Sequence, residues 1–147
     1  MKLYHLTNKL FAKTVCLKPH VNTIIDDFFE VSKPERVCFS NNIQNCANAV
    51  YGYNVKISNS YYSVYEIEIN GDEDYFVSND CIVKNKLVFD ADQHNECWIT
   101  KPVIAKKVAK IKIKRTKDCV FFKPLRELSR NDLCYQKVKI CDFKKIG

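Results

Sequence analysis

The sequence predicts an α+β domain dominated by antiparallel sheet, with a few short helices, and three observations carry that prediction. Residues 61–69 separate by period two into Tyr61, Ser63, Tyr65, Ile67 and Ile69 against Tyr62, Val64, Glu66 and Glu68. The aromatic and β-branched content suits a half-buried strand. Ala109, Ile111 and Ile113 alternate with Lys110, Lys112 and Lys114 in the same way. Helical period is plainest at Ile43, Cys46, Ala47 and Val50, which share one face at i, i+3, i+4 and i+7.

In chain order, residues 1–7 read as a first strand, with Leu3, His5 and Thr7 on one side and Tyr4 and Leu6 on the other. Residues 8–35 are less regular. Pro19 makes 17–22 a loop, residues 23–31 suit a short helix or turn, and Pro34 marks another loop. Val37-Cys38-Phe39 is a short buried strand. Ser40, Asn41 and Asn42 are suited to capping the helix that follows, which stops at Gly52. Asn70-Gly71-Asp72 is a turn signal. Residues 75–77 and 82–89 read as strands broken at Ser78-Asn79-Asp80, and 96–100 as a short strand ended by Lys101-Pro102. Beyond Lys114, residues 119–122 suit a hairpin partner, Pro124 opens a short helix over 125–133, and 135–141 alternates again.

A chain of 147 residues with 46% apolar and 12% aromatic side chains suits one domain with a sizeable core. No apolar run approaches the roughly 20 residues of a membrane span, and no signal-peptide pattern opens the chain, so the expected location is the cytoplasm. The 8 cysteines include no Cys-x-x-Cys pair, which favours reduced structural thiols over disulfides or zinc. Only 3 glycines occur, and neither a Walker-type loop nor a dinucleotide fingerprint is present. Asp90, Asp92 and His94 lack a clear fourth ligand, so no metal is expected. Charge is uneven: residues 1–100 hold 9 basic and 13 acidic side chains, residues 101–147 hold 15 and 4. An acidic body therefore carries a basic C-terminal part. The lysine face of 110–114 with Arg115 either binds nucleic acid or another polyanion, or protects a strand edge from pairing.

Three segments suggest chemistry: Tyr4-His5-Leu6-Thr7 on the first strand, Arg36-Val37-Cys38-Phe39-Ser40-Asn41 running into the helix, and Asn95-Glu96-Cys97-Trp98 before Pro102-Val103. Their order resembles the ADP-ribosyltransferase-like fold, which includes NAD-dependent ADP-ribosyl transferases and RNA 2′-phosphotransferases. The resemblance covers residues 1–113. It implies His5 as the ribose-contacting histidine, Glu96 as the acidic residue that polarises the ribose and stabilises an oxocarbenium-like transition state, and Phe39 and Ser40 as a pocket wall. Tyr4, Thr7, Arg36, Asn41, Tyr51 and Trp98 complete the implied ligand-binding set, with NAD or an ADP-ribose-containing nucleotide as ligand. Cysteine stands at position 38 where the His-Tyr-Glu transferases carry tyrosine, and Tyr51 or Tyr53 is the candidate substitute. In general make-up the chain is also similar to small phage and prophage proteins. Three functions follow as expectations: a transferase, a non-catalytic protein that sequesters a signalling nucleotide, and a basic nucleic-acid-binding module.

Overall fold

The computed structural model describes residues 1–21, 33–52, 61–88, 91–115 and 138–146. In chain order its elements are β1 (Lys2–Thr7), β2 (Thr14–Leu17), β3 (Val37–Phe39), α1 (Ile43–Gly52), β4 (Tyr61–Glu68), β5 (Phe76–Val77), α2 (Asn79–Lys84), a 3-10 turn (Ala91–Gln93), β6 (Cys97–Ile99), β7 (Val103–Arg115) and β8 (Val138–Lys145). The expected α+β class with mainly antiparallel sheet is what the chain forms. Two sheets are present among these residues. The larger runs β1-β4-β7-β2, with β8 also paired to β7, and the smaller runs β3-β6-β5. All pairings are antiparallel.

The two sheets enclose one core. Leu3, Leu17, Tyr65, Ile67 and Ala105 of the large sheet meet Val37, Phe39, Cys97 and Ile99 of the small one. On the other face of the large sheet, Leu6, Tyr62, Val64, Ala109, Ile111 and Ile113 pack with Cys46 and Ala47 of α1. Strand β4 therefore buries both of its faces, and so contributes odd positions to one core and even positions to the other. Strand β7 changes face by another device. Val64 pairs with Ala109 but Tyr65 pairs with Lys107, so Val108 is an extra residue. That bulge moves odd positions of β7 from the inter-sheet core at Ala105 to the helix side at Ala109.

The corner after β3 is built from the polar cluster. The Asn42 side chain accepts the Asn45 amide at 2.7 Å, which makes Asn42 the N-cap of α1. Tyr4 and Ser40 exchange backbone hydrogen bonds of 2.8 and 3.0 Å, stitching β1 to the end of β3. The Asn70-Gly71 turn occurs with Gly71 at φ 103°, where a Cβ would meet the Met1 side chain at 2.9 Å. It carries the chain from β4 in one sheet to β5 in the other, so it closes no hairpin.

Three expectations are corrected. The segment read as a strand over 82–89 begins inside the helix α2, which ends at Lys84, and residue 89 lies outside the described residues. Ser78, taken as a strand break, is its N-cap and accepts the Cys81 amide at 3.2 Å. At its end Lys86 adopts φ 52°, and the bonds Leu87 N to Ile82 O and Lys86 N to Val83 O close a Schellman motif without glycine. A short apolar run does not distinguish strand from helix, and the capping serine decided. Second, β2 lies within the stretch read as irregular; it gains its hydrogen bonds only by pairing with residues 103–106. Third, of the cysteines expected to be structural thiols, Cys16, Cys81 and Cys141 are exposed; among the described residues only Cys46 and Cys97 are buried, and all six described cysteines are free. Strand β8 covers Val138–Lys145, and the expectations for 23–31, 119–122, 125–133 and 135–137 lie outside the described residues.

Candidate functional site

The His5 segment and the Glu96 segment are brought together at β3, and the two sides differ in character. His5 is half-buried on β1, its ring 5.6 Å from the ring of Phe39. Its Nδ1 lies 2.9 Å from the Cys38 carbonyl oxygen. A carbonyl only accepts, so Nδ1 carries the proton and Nε2 keeps its lone pair. Burial pushes the His5 pKa below its ordinary value, outweighing the Cys38 bond, and nearby His20 lowers it further. A neutral imidazole with an acceptor nitrogen results.

Glu96 is buried at 7% exposure, just before β6. One carboxylate oxygen accepts the Trp98 indole N–H at 2.6 Å and the Cys38 thiol at 3.4 Å; the other lies 3.0 Å from His94 Nε2. Burial raises its pKa, but the bond and charge of His94, with the Trp98 and Cys38 bonds, hold it below the ordinary glutamate value. Arg36 is buried beside this group, its guanidinium 4.5 Å from the Trp98 ring and donating to the Pro34 carbonyl at 3.2 Å. Burial, then the Glu96 charge, pushes the Cys38 thiol well above its ordinary range. The arrangement is a closed, hydrogen-bonded charge network on the outer side of the small sheet, under Ile82, Val88 and Ala91.

Ser40 does not offer its hydroxyl to an anion. It donates to the His94 carbonyl at 2.5 Å and locks the 3-10 turn region to the β3 corner. Asn41 is exposed and bonds Asn42 and Asn45. The Tyr4 side chain packs with the helix-side core, on the face of β1 opposite His5. Trp98 is fully buried. Tyr51 lies within α1, and its side chain is outside the described residues, as are residue 53 and the Arg115 side chain. Of the implied ligand-binding set, His5 and Thr7 line an open cleft.

That cleft measures about 520 Å³ and lies beside β1, β2 and β3. Besides His5 and Thr7 it is lined by Asn8, Lys9, Lys18 and His20 as polar groups, with Val37 and Tyr62 among its apolar ones. Lysines at 9 and 18 make it a site of positive potential. Sequence reasoning missed Lys9, which directly follows β1, and Lys18 and His20, whose approach to β1 depends on the β2–β7 pairing and the His20–Arg36 bridge. The available signal was numerical: the chain has 3 histidines, and two of them meet here. The third, His94, was considered for a metal. It turns Nε2 to Glu96 instead, and no three ligating side chains are grouped for a metal ion among the described residues.

The described residues define an α+β domain of two antiparallel sheets with a cationic cleft at the edge of the first strand. Comparison with protein-family models, curated proteins and solved structures finds no match for this chain. No described helix is long and apolar enough to cross a membrane.

Proposed function

We propose that this chain is a nucleotide-binding domain with an ADP-ribosyltransferase-like arrangement, which holds NAD or an ADP-ribose-containing nucleotide in the His5 cleft without transferring it. One observation carries the reading: a neutral histidine with a proton-free Nε2 lines a cleft that also presents Lys9, Lys18 and His20. Lysines match a diphosphate, and an imidazole acceptor with Thr7 and Asn8 matches ribose hydroxyls. The juxtaposition of the β1 histidine and the late glutamate at Cys38 supports the family resemblance. Binding is favoured over turnover because both Glu96 oxygens are engaged and the side chain is buried. A carboxylate held this way does not face a ribose in the cleft, and Cys38 supplies no ring to stack on nicotinamide. Sequestration of a signalling nucleotide is the role that fits a binder of this kind.

The test is calorimetry with NAD, ADP-ribose and cyclic nucleotides, followed by mass analysis of the released ligand. Binding of one of them, its recovery unchanged, and loss of binding in Lys18→Glu are the expected results. Nicotinamide release that disappears in Glu96→Ala would convert the reading to a transferase. Indifference to all three ligand classes would remove it.

A further inference from the structure

Lys110 and Lys112 of β7 do not protect an edge. Over residues 109–112 β7 is paired on one side with β4 and on the other with β8, so Lys110 and Lys112 stand on an interior strand. Edge protection, the ordinary use of lysine on a strand, does not account for them. Their face is the same one that carries the inter-sheet core farther along β4. Lys110 and Lys114 are exposed, and Lys144 of β8, opposite Lys110, is exposed beside them. Like charges on neighbouring positions of a sheet repel one another and destabilise it. A surface that gathers them is therefore complementary to an anion.

Two aromatic side chains sit among these lysines. Tyr61 pairs opposite Lys112, with Lys144 Nζ 4.8 Å and Lys112 Nζ 5.9 Å from its ring centre. Its hydroxyl donates to Asp142, which also neighbours Lys144 at 4.0 Å. Tyr61 thus positions the lysine heads. Phe11 is 69% exposed, and with Tyr61, Ser63, Lys110 and Lys144 it lines a hollow of about 270 Å³. The backbone that presents Phe11 is pinned to the sheet. Tyr65 donates its hydroxyl to the Ala12 carbonyl at 2.7 Å, Lys107 Nζ donates to the Phe11 carbonyl at 3.3 Å, and the Lys107 amide donates to the Lys13 carbonyl at 2.8 Å. An exposed phenyl ring on a loop tip is ordinary. An exposed ring on a fastened backbone, facing a hollow flanked by lysines, is a preorganised stacking platform.

We infer that this face binds single-stranded nucleic acid, with a base stacked on Phe11 and successive phosphates met by Lys110, Lys112, Lys114 and Lys144. Alternate lysines on β7 are roughly 7 Å apart, from the rise of a strand, which is comparable with phosphate spacing along an extended single strand. A duplex hides its base faces, so only an unstacked strand uses the ring. The hollow shares no lining residue with the His5 cleft, which it adjoins where Thr7 pairs with Ser63, and single-strand binding here does not require a ligand in that cleft.

The experiment is fluorescence anisotropy with a labelled oligo(dT), the matching duplex and poly-glutamate as competitor, over a salt series. The single strand is expected to bind more tightly than the duplex. Phe11→Ala, on a surface loop, is expected to weaken it about tenfold with unchanged circular dichroism. Lys110→Glu and Lys144→Glu are each expected to weaken it and to flatten the salt dependence by about 0.7 in log–log slope for each phosphate no longer neutralised. Equal affinity for duplex, or an unchanged affinity in Phe11→Ala, overturns the inference. Poly-glutamate competing as well as unlabelled oligo(dT) overturns it too, and assigns the face to an acidic protein surface.

Discussion

His5 and Glu96 hold the same residue by different groups: the His5 imidazole donates to the Cys38 carbonyl at 2.9 Å, and the Glu96 carboxylate accepts the Cys38 thiol at 3.4 Å. Residues 91 apart in the chain are thus joined through a single position on β3. Cys38 pairs with Trp98 across the small sheet, so its side chain falls among the Glu96 partners while its carbonyl is engaged by β1. The cleft histidine and the buried carboxylate are neighbours that serve different environments.

Removing the Glu96 carboxylate leaves the Trp98 indole N–H, the Cys38 thiol and His94 Nε2 without their acceptor. Glu96→Ala is therefore expected to lower unfolding free energy by about 3–5 kcal/mol, the range for breaking a buried charged pair. Urea denaturation followed by the fluorescence of Trp98, the chain's single tryptophan, measures it. An unshifted midpoint would show that the network does not hold the small sheet.

Acid weakens the fold in two windows. Burial, and then His20, lower the His5 pKa from 6.5, so on acidification the unfolded chain takes up a proton near pH 6.5 before the folded chain does. Stability then falls as pH drops below that value. Glu96 titrates below 4.5 when folded, because its hydrogen bonds and the His94 charge outweigh burial. The stabilisation it contributes is complete above the unfolded value and is lost as pH falls through the folded one. A pH series of denaturation curves should show His5→Gln flattening the upper window and Glu96→Gln the lower. The same slopes in both variants as in the parent chain would contradict these assignments.

Ser40→Ala removes the 2.5 Å bond to the buried His94 carbonyl. The expected loss is about 1–3 kcal/mol, the cost of an unsatisfied buried group. Nucleotide affinity should stay unchanged, since Ser40 does not line the cleft. A stable variant with weakened binding would reverse that placement.

Thiol reactivity should follow exposure. Brief treatment of the native protein with iodoacetamide is expected to label Cys16, Cys81 and Cys141, the exposed thiols among those described. Cys46 and Cys97 should resist, because burial pushes both thiols up to about 12. Peptide mapping that finds Cys97 labelled as fast as Cys81 would place β6 at the surface.

Tyr65→Phe deletes the hydroxyl that fastens Ala12 and should cost about 0.5–1.5 kcal/mol. The same change loosens the backbone beneath Phe11, so oligonucleotide affinity should fall while charge is unaltered. Denaturation and anisotropy on one preparation read both effects. Lost stability with undiminished affinity would separate the loop from the binding face.

Alternation and helical period come from local chemistry, and the chain states them openly. The split of 61–69, the lysine face of 110–114 and the helix after Ser40 all appear where their patterns put them. A strand or amphipathic helix presents each face at a fixed period, so periodicity survives in the sequence, although β4, expected to be half-buried, buries both of its faces. The antiparallel α+β class, the short strands at 37–39 and 97–99, and the corner cap were legible for the same reason. What tertiary structure alone decided is where those faces lead. Pairing with β7 made Thr14–Leu17 a strand, whereas the helix 79–84 follows from its local Ser78 cap. Packing turned Glu96 inward, Ser40 into a lock and Lys110 into an interior-strand cation, and it brought Lys18 and His20 to His5. These outcomes depend on hydrogen bonds between residues tens of positions apart, and no local pattern encodes the partner.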